Sequence, residues 1–210
     1  MSVRYVKRLQ MIFDFRRTPM PPSPIELPNG FRTVPWDPSL LYAHAVVKYQ
    51  GFRNDSDADV FPTFKQFDRC LSLMESITSN DSFVPEATLL ISLGSPPIAG
   101  EYVANIQGMR LSRETGAIQN VAVVPDFRRQ GLGRALVLGA LHAFRSIGVQ
   151  QVSLDVTADN NPAMRLYERI GFRTVRVHFK ETVIDDGLPF RRYSGEHWHI
   201  DTSPWHGLTR

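Results

Sequence analysis

The stretch that decides the fold is Asn120-Val-Ala-Val-Val-Pro-Asp-Phe-Arg-Arg-Gln-Gly-Leu-Gly-Arg-Ala-Leu136. Its opening apolar run is typical of a strand, and Pro125 ends that run. A basic loop with two glycines follows, and apolar residues at helical spacing then predict a helix from Gly133 to about Ile147. Backbone amides at the start of such a helix, together with the helix dipole, favour an anionic ligand.

This loop has the composition of a phosphate cradle. Gly131 and Gly133 let the backbone approach a ligand closely. Positive charge and bidentate donors come from Arg128, Arg129 and Arg134. A P-loop would need a lysine after the second glycine, and the dinucleotide fingerprint would need a third glycine where Leu136 stands. The sequence therefore predicts a pyrophosphate site of another kind.

Alternating patterns place further strands and helices around this stretch. Strands are predicted at 31–34, 87–93, 101–109, 117–124, 152–157 and 172–183, and helices at 37–49, 62–77, 133–147 and 162–170. The turn-rich segment 94–100 predicts an antiparallel hairpin, whereas the alternation of strands and helices in the second half predicts parallel pairing there. We therefore expect an α+β fold with a mixed sheet and helices on its faces.

The chain is predicted to consist of an arm, a domain and a tail. Residues 1–30 form the arm, in which 5–15 is an added edge strand with a solvated basic face and a proline-rich linker follows. Residues 31–184 form the compact domain, and residues 185–210 form a tail that is expected to be partly disordered. The histidines and tryptophans of the tail favour packing back over the sheet rather than a metal site. They are His197, His199, His206, Trp198 and Trp205.

Composition excludes several classes of protein. Of 210 residues, 24 are Lys or Arg and 21 are Asp or Glu, so the net charge of +3 argues against a surface built wholly for nucleic acid. The single cysteine, Cys70, excludes an intrachain disulfide and a cysteine-based metal cage, and its expected role is that of a buried structural thiol. The apolar runs are too short for a membrane span or a signal peptide, so we expect a soluble cytoplasmic protein without membrane association.

A second motif lies downstream, and the two motifs together carry a family resemblance. It reads Asn160-Asn-Pro-Ala-Met-Arg-Leu-Tyr-Glu-Arg-Ile-Gly-Phe172. The first motif resembles the loop pattern Q/R-x-x-G-x-G/A of the GNAT superfamily of N-acetyltransferases, and the second resembles that family's N-x-x-A-x-x-x-Y-x-x-x-G-F signature. The matching positions are Arg128, Gly131, Gly133, Asn160, Ala163, Tyr167, Gly171 and Phe172. The resemblance covers about 117–172 and does not extend to the arm or the tail.

This resemblance implies the GNAT acyltransferase fold, a mixed and partly splayed sheet of about six to seven strands with about four helices. It implies acetyl-CoA (coenzyme A) as the cofactor, with the pyrophosphate on the loop amides and the pantetheine arm in a gap beside a bulged strand. The amide of Val123 would polarise the thioester carbonyl. The cofactor-binding residues implied are Val121, Ala122, Val123, Arg128, Arg129, Gln130, Gly131, Leu132, Gly133, Arg134, Asn160 and Tyr167.

Catalytic groups are implied in the same way. Tyr167 matches the family's usual general acid, placed to meet the coenzyme sulfur. Asp155 stands where bacterial ribosomal-protein alanine acetyltransferases carry a catalytic glutamate, which makes it the first candidate for the general base. A structural pairing of Asp155 with a nearby arginine is an equal alternative. Weaker candidates for the base are Glu86, Glu101 and Glu181.

The predicted function is transfer of an acetyl group to a primary amine by direct attack in a ternary complex, without a metal. A non-catalytic acyl-CoA-binding regulatory module is the alternative, and nucleic-acid binding through the basic arm is disfavoured. The motifs do not identify the acceptor, and a homodimer formed by exchange of the arm stays open. Three carboxylates at 55–59 lack the later ligands of an EF-hand, so they form either a solvated loop or a site that attracts a cationic amine.

Overall fold

A mixed sheet of seven strands runs through the part of the chain that the structure describes. The structure is a computed structural model, and it describes residues 2–20, 26–94 and 101–184. The strands are β1 (Ser2–Asp14), β2 (Phe31–Pro35), β3 (Phe83–Leu93), β4 (Glu101–Arg110), β5 (Thr115–Val123), β6 (Gln151–Thr157) and β7 (Arg173–Ile184). Their order is β2-β3-β4-β5-β6-β1-β7, with β5 and β6 parallel and the other neighbours antiparallel. The predicted mixed sheet is confirmed, including the β3–β4 hairpin.

Helices flank the sheet between these strands. They are α1 (Leu41–Phe52), α2 (Ser56–Val60), α3 (Phe67–Thr78), α4 (Leu132–Ser146) and α5 (Asn161–Ile170). The helix predicted at 62–77 is divided into a 3₁₀ turn at Pro62–Lys65 and then α3, because Gln66 has an extended backbone with φ −132° and ψ 130°. Asp37 caps the turn before α1 by accepting a hydrogen bond from the Ser39 amide at 2.9 Å.

The N-terminal strand lies inside the sheet, so the predicted edge position is wrong, whereas Arg4 and Lys7 are exposed as expected and Arg8 is buried. β1 pairs with β6 along one edge and with β7 along the other. Met11 and Phe13 are fully buried. A strand that is covered on both faces loses clean alternation, which explains the imperfect pattern at 5–15. β6 and β7 run in the same direction but do not pair, because β1 separates them, and this corrects the parallel pairing predicted there.

Two layers of helices cover opposite faces of the sheet. α4 and α5 pack on one face, where Leu136 and Phe144 are fully buried, and α1 and α3 cover the other face around Met74 and Ile77. Cys70 is buried in α3, as predicted. None of the described helices is long and apolar enough to cross a membrane. The predicted tail and most of the predicted link 94–100 lie outside the described residues, and the boundaries between arm, domain and tail stay predictions.

Candidate active site

The sheet opens between its two parallel strands. β5 and β6 pair at three positions, from Thr115↔Gln151 to Ala117↔Ser153, and the pairing then stops. On the other edge of β5, Gln107 lies opposite Asn120 while Gly108 lies opposite Ile118, so Gln119 is an extra residue. Such a β-bulge bends a strand and increases its twist. The bulge therefore coincides with the point at which β5 leaves β6, and it produces the splayed sheet that the sequence motifs implied.

Two backbone amides of β5 face this gap. The amide of Val124 donates to the carbonyl of Val103 at 2.9 Å, and Ala122 lies opposite Asn105 of β4. Hydrogen-bonding groups point to alternate edges along a strand. Since Ala122 and Val124 face β4, the amides of Val121 and Val123 face the gap, where they are available to a ligand.

A large cavity extends along the gap. Its volume is about 1720 Å³, which exceeds the roughly 300–1,000 Å³ of an ordinary small-molecule pocket. The predicted site residues that line it are Val121, Ala122, Val123, Arg128, Arg129, Gly131, Leu132, Gly133, Arg134, Asp155, Asn160 and Tyr167. Gln130 is exposed and is not among the lining residues. The sequence motifs thus converge on one cavity that has room for an extended ligand and a second molecule.

The glycine loop forms one end of the cavity. Gly131 has φ +82° and directly precedes α4. A Cβ added at Gly131 would have no heavy atom within 4 Å, so the space in front of the loop is open. Arg129 also has a positive φ, of 62°, which is uncommon for a residue with a side chain. This curled backbone at a helix start has the shape and polarity that a pyrophosphate needs.

Arg128 holds the loop against α1. Its guanidinium donates to the carbonyl oxygens of Val123 at 3.1 Å and Gly51 at 2.7 Å, and to the Asp55 carboxylate at 2.8 Å. Its described partners are therefore groups of the protein, whereas Arg129 and Arg134 are exposed and line the cavity. Sequence spacing could not reveal this role, because Gly51 and Asp55 lie more than seventy positions away.

Tyr167 of α5 lines the cavity. Its side chain is 8% exposed, and its ring packs edge-on against Phe172 with centroids 5.8 Å apart. Burial raises the pKa of the Tyr167 hydroxyl, and the nearby Asp57 carboxylate raises it further. The hydroxyl is therefore protonated at neutral pH, and it is available as a proton donor.

Asp155 faces the cavity beside a histidine that the motifs did not indicate. The Asp155 carboxylate oxygen Oδ1 lies 3.5 Å from Nε2 of His178 on β7. Both side chains are mostly buried, and both residues line the cavity. β1 brings them together, since Gln10 lies opposite Asp155 and Arg8 lies opposite His178. Asp155 and His178 therefore form a carboxylate–imidazole pair at the cavity wall. In the sequence, only the alternation of β7 could have indicated that His178 faces the same side as the other site residues.

The segment with three carboxylates is a short helix rather than a solvated loop. Asp57 of α2 accepts hydrogen bonds from Thr157 at 2.6 Å and from Asn160 at 3.3 Å, and it lies 3.7 Å from the Arg8 guanidinium. Arg8 is 8% exposed and lines the cavity, so this arm residue belongs to the site. The other two carboxylates pair with Arg128 and Lys65. The hydrogen bonds of Asp57 to Thr157 and Asn160 tie α2 to the far side of the gap, and a role of the carboxylates in attracting an amine stays a prediction.

Of the remaining candidate residues, Asn160 and Glu181 line the cavity and Glu86 and Glu101 do not. Asn160 caps α5, since its side chain accepts from the Ala163 amide at 3.2 Å while the residue also lines the cavity. Glu181 lines the cavity and accepts from the Tyr5 hydroxyl at 3.3 Å, whereas Glu86 and Glu101 are exposed and lie outside the lining. Among the described residues, no three metal-binding side chains are grouped, and the histidines of the tail lie outside those residues.

Comparison with known proteins gives a family and a fold. A model described as "Acetyltransferase (GNAT) family" matches residues 64–172. Over 95 residues the chain is 36% identical to a mycothiol acetyltransferase of Thermobifida fusca, covering 43% of this chain and 29% of that protein. Over 65 residues it is 43% identical to the ribosomal-protein bS18-alanine N-acetyltransferase of Escherichia coli K12, covering 30% of this chain and 44% of that protein.

The solved structures agree on the fold. A GCN5-related N-acetyltransferase from Sphaerobacter thermophilus superimposes with a TM-score of 0.61 at 24% identity, over 86% of this chain and 52% of that chain. The chain spans between 21% and 45% of the length of the first curated relatives that it matches. The shared part contains both sequence motifs and the strands on either side of the gap.

Proposed function

The chain belongs to the acetyltransferase (GNAT) family, and from that membership we propose that it transfers an acetyl group from acetyl-CoA to the nitrogen of a primary amine. One observation carries the proposal. A single cavity runs from the glycine loop, past the gap-facing amides of β5, to Tyr167 and the Asp155–His178 pair. Enzymes of this family use acetyl-CoA, and the shape of the cavity suits that elongated molecule.

The described residues fit acetyl-CoA. The open space in front of Gly131 leaves room for the pyrophosphate, and Arg129 and Arg134 supply positive charge beside it. The amides of Val121 and Val123 would hold the pantetheine arm as a neighbouring strand would. When bound, acetyl-CoA supplies an acetyl group activated as a thioester. The amide of Val123 is the donor that would polarise the carbonyl of that group.

The amine must lose a proton before it can attack. Asp155 and His178 lie 3.5 Å apart at the cavity wall, so a proton taken by the carboxylate can be shared with the imidazole. Arg8 donates to the backbone carbonyl of Asp155 at 3.2 Å, and the charge of the Asp155 carboxylate acts on the Arg8 guanidinium. The proposed role of Asp155 as general base therefore depends on its place at the cavity wall beside His178.

Tyr167 supplies the matching acid. A tyrosine hydroxyl keeps its proton at neutral pH, so Tyr167 can donate that proton to the leaving sulfur. Cys70 offers no competing route through a covalent enzyme intermediate. It is fully buried and outside the cavity lining, and burial raises the pKa of its thiol to about 11. Direct attack by the amine, with both substrates in one cavity, is therefore the proposed mechanism.

The decisive experiment is turnover on a panel of amines. We would measure release of the free thiol of coenzyme A with a peptide that begins with alanine, a polyamine, an amino sugar and an aminoglycoside. At least one acceptor should give saturable release that falls strongly in Tyr167→Phe. Binding of acetyl-CoA without acetylation of any amine would contradict transfer and support the non-catalytic acyl-CoA-binding module.

A further inference from the structure

α1 carries a buried lysine behind the strand that borders the gap. Lys48 has no exposed surface. Among the described residues, no carboxylate lies within ion-pair distance of its Nζ. A buried lysine without a counter-ion is uncommon, because removing an ammonium from water is costly. The motifs did not indicate this residue, and the mechanism above does not use it.

The lysine is hydrogen-bonded to the bulge of β5. When the Asn120 carboxamide is oriented so that its donors and acceptors are matched, its oxygen accepts from Lys48 Nζ at 3.2 Å. The nitrogen of the same carboxamide then donates to the carbonyl of Gln119 at 3.3 Å. Gln119 is the extra residue of the bulge. A continuous chain of hydrogen bonds therefore runs from α1 through Asn120 into the distortion that separates β5 from β6.

α1 is also fixed at close range to the next residues of β5. A Cβ added at Gly51, one turn after Lys48, would lie 2.9 Å from the Cβ of Ala122. The carbonyl of Gly51 accepts from Arg128, which anchors the glycine loop. The helix thus contacts β5 at the bulge and beside the two gap-facing amides, so a small displacement of the bulge would move those amides.

An apolar side chain of the same length would fill the position of Lys48 without the cost of burial. Burial lowers the pKa of the Lys48 amine to about 7. What the lysine adds over such a side chain is a hydrogen-bond donor at the end of a long stem. The only described acceptor for that donor is Asn120.

We propose that Lys48 is a positioning residue that holds the bulge of β5, and through it the amides of Val121 and Val123, in the geometry that receives the acyl thioester. The claim that these amides receive the acyl thioester rests on the proposed function. The claim that Lys48 holds the bulge concerns β5 alone and can be tested without any ligand.

The test compares Lys48→Met with Lys65→Met. Lys65 is an exposed lysine that pairs with Asp59, so its variant controls for loss of a lysine as such. Hydrogen exchange of the backbone amides of Ala122 and Val124, which face β4 beside the bulge, should be at least about tenfold faster in Lys48→Met, which corresponds to the loss of about one hydrogen bond. Affinity for acetyl-CoA, measured by calorimetry, should fall about tenfold for the same reason. Lys65→Met should change neither quantity.

A second variant separates positioning from packing. Asn120→Ala keeps the lysine and removes its acceptor, and it should loosen the same amides. The double variant should be no looser than either single variant, because both changes break one chain of contacts. Exchange and affinity that stay at wild-type values in Lys48→Met would overturn the proposal, and so would a Lys48→Met protein that fails to fold. Wild-type protein that binds no acetyl-CoA would refute the proposed function, while the exchange data would still decide the role of Lys48.

Discussion

Lys48→Met should stabilise the protein at neutral pH and lose that advantage in alkali. The reference pKa of a lysine amine is 10.5, and burial lowers the pKa of Lys48 to about 7. The unfolded chain therefore binds this proton more readily than the folded protein, so stability rises with pH between about 7 and 10.5. With 1.36 kcal/mol for each pKa unit, the lysine destabilises the folded state by about 4 kcal/mol at pH 7 and about 2 kcal/mol at pH 9.

The variant also leaves the Asn120 oxygen without its donor. Asn120 is half-buried and lines the cavity, so the loss is that of one hydrogen bond, roughly 0.5–1.5 kcal/mol. The net gain of Lys48→Met is therefore about 3 kcal/mol at pH 7, and it should fall to about 1 kcal/mol at pH 9 and vanish at higher pH.

Urea unfolding of both proteins at pH 7, 8 and 9 measures this difference. The titratable groups that face Lys48 are His44 on α1 and Cys70 on α3. Burial lowers the pKa of His44 to about 3, so that group does not change its charge above pH 7 in the folded protein. Cys70 is present in both proteins, so its titration largely cancels in the difference. A difference in stability that is independent of pH, or a variant that is less stable at pH 7, would refute the reasoning.

Four further changes test the site. Gly131→Glu should abolish binding of acetyl-CoA in a calorimetric titration, because it fills and charges the phosphate cradle; Gly148→Glu, which also has a positive φ of +80° and open space around it, is the matched control and should bind normally. If both glutamate variants bound acetyl-CoA with equal affinity, the glycine loop would not be the pyrophosphate-binding site. Tyr167→Phe should lower kcat by roughly 10²–10⁴-fold with little loss of coenzyme affinity, since only the donated proton is lost; steady-state kinetics at full rate would exclude the acid role. Asp155→Asn should lower kcat by a similar factor, and His178→Gln by less, because the carboxylate can still accept the proton alone. A normal kcat in Asp155→Asn would transfer the role of base to another group.

The parts of the fold that the sequence predicted depend on local signals. The glycine loop and the helix stripes are each decided within a few residues, because turn geometry and amphipathic spacing are local properties. The splayed sheet could be anticipated through the two motifs, and the structure supplies its cause in the extra residue of β5. The place of β1 in the sheet could not be predicted, because a strand can pair with any free edge and its own sequence does not determine which edge that is.

Long-range contacts account for what the sequence could not predict at the site. His178 comes beside Asp155 only because β1 lies between β6 and β7. Lys48 meets Asn120 only because α1 packs closely on β5. In both cases an ordinary polar residue in a periodic segment acquires a special environment from a distant partner. Such residues give no local signal, because helical or strand spacing alone would assign them to an unremarkable face.

The most direct test of the central claim is a calorimetric titration of the wild-type protein with acetyl-CoA, with desulfo-CoA and ATP as controls. If the gap beside β5 and the glycine loop form the coenzyme site, acetyl-CoA should bind saturably and desulfo-CoA should bind with similar affinity. ATP should not bind at comparable concentrations, since it lacks the pantetheine arm that the amides of Val121 and Val123 would hold. Folded protein that binds neither coenzyme, or that binds ATP equally well, would contradict the assignment of this cavity.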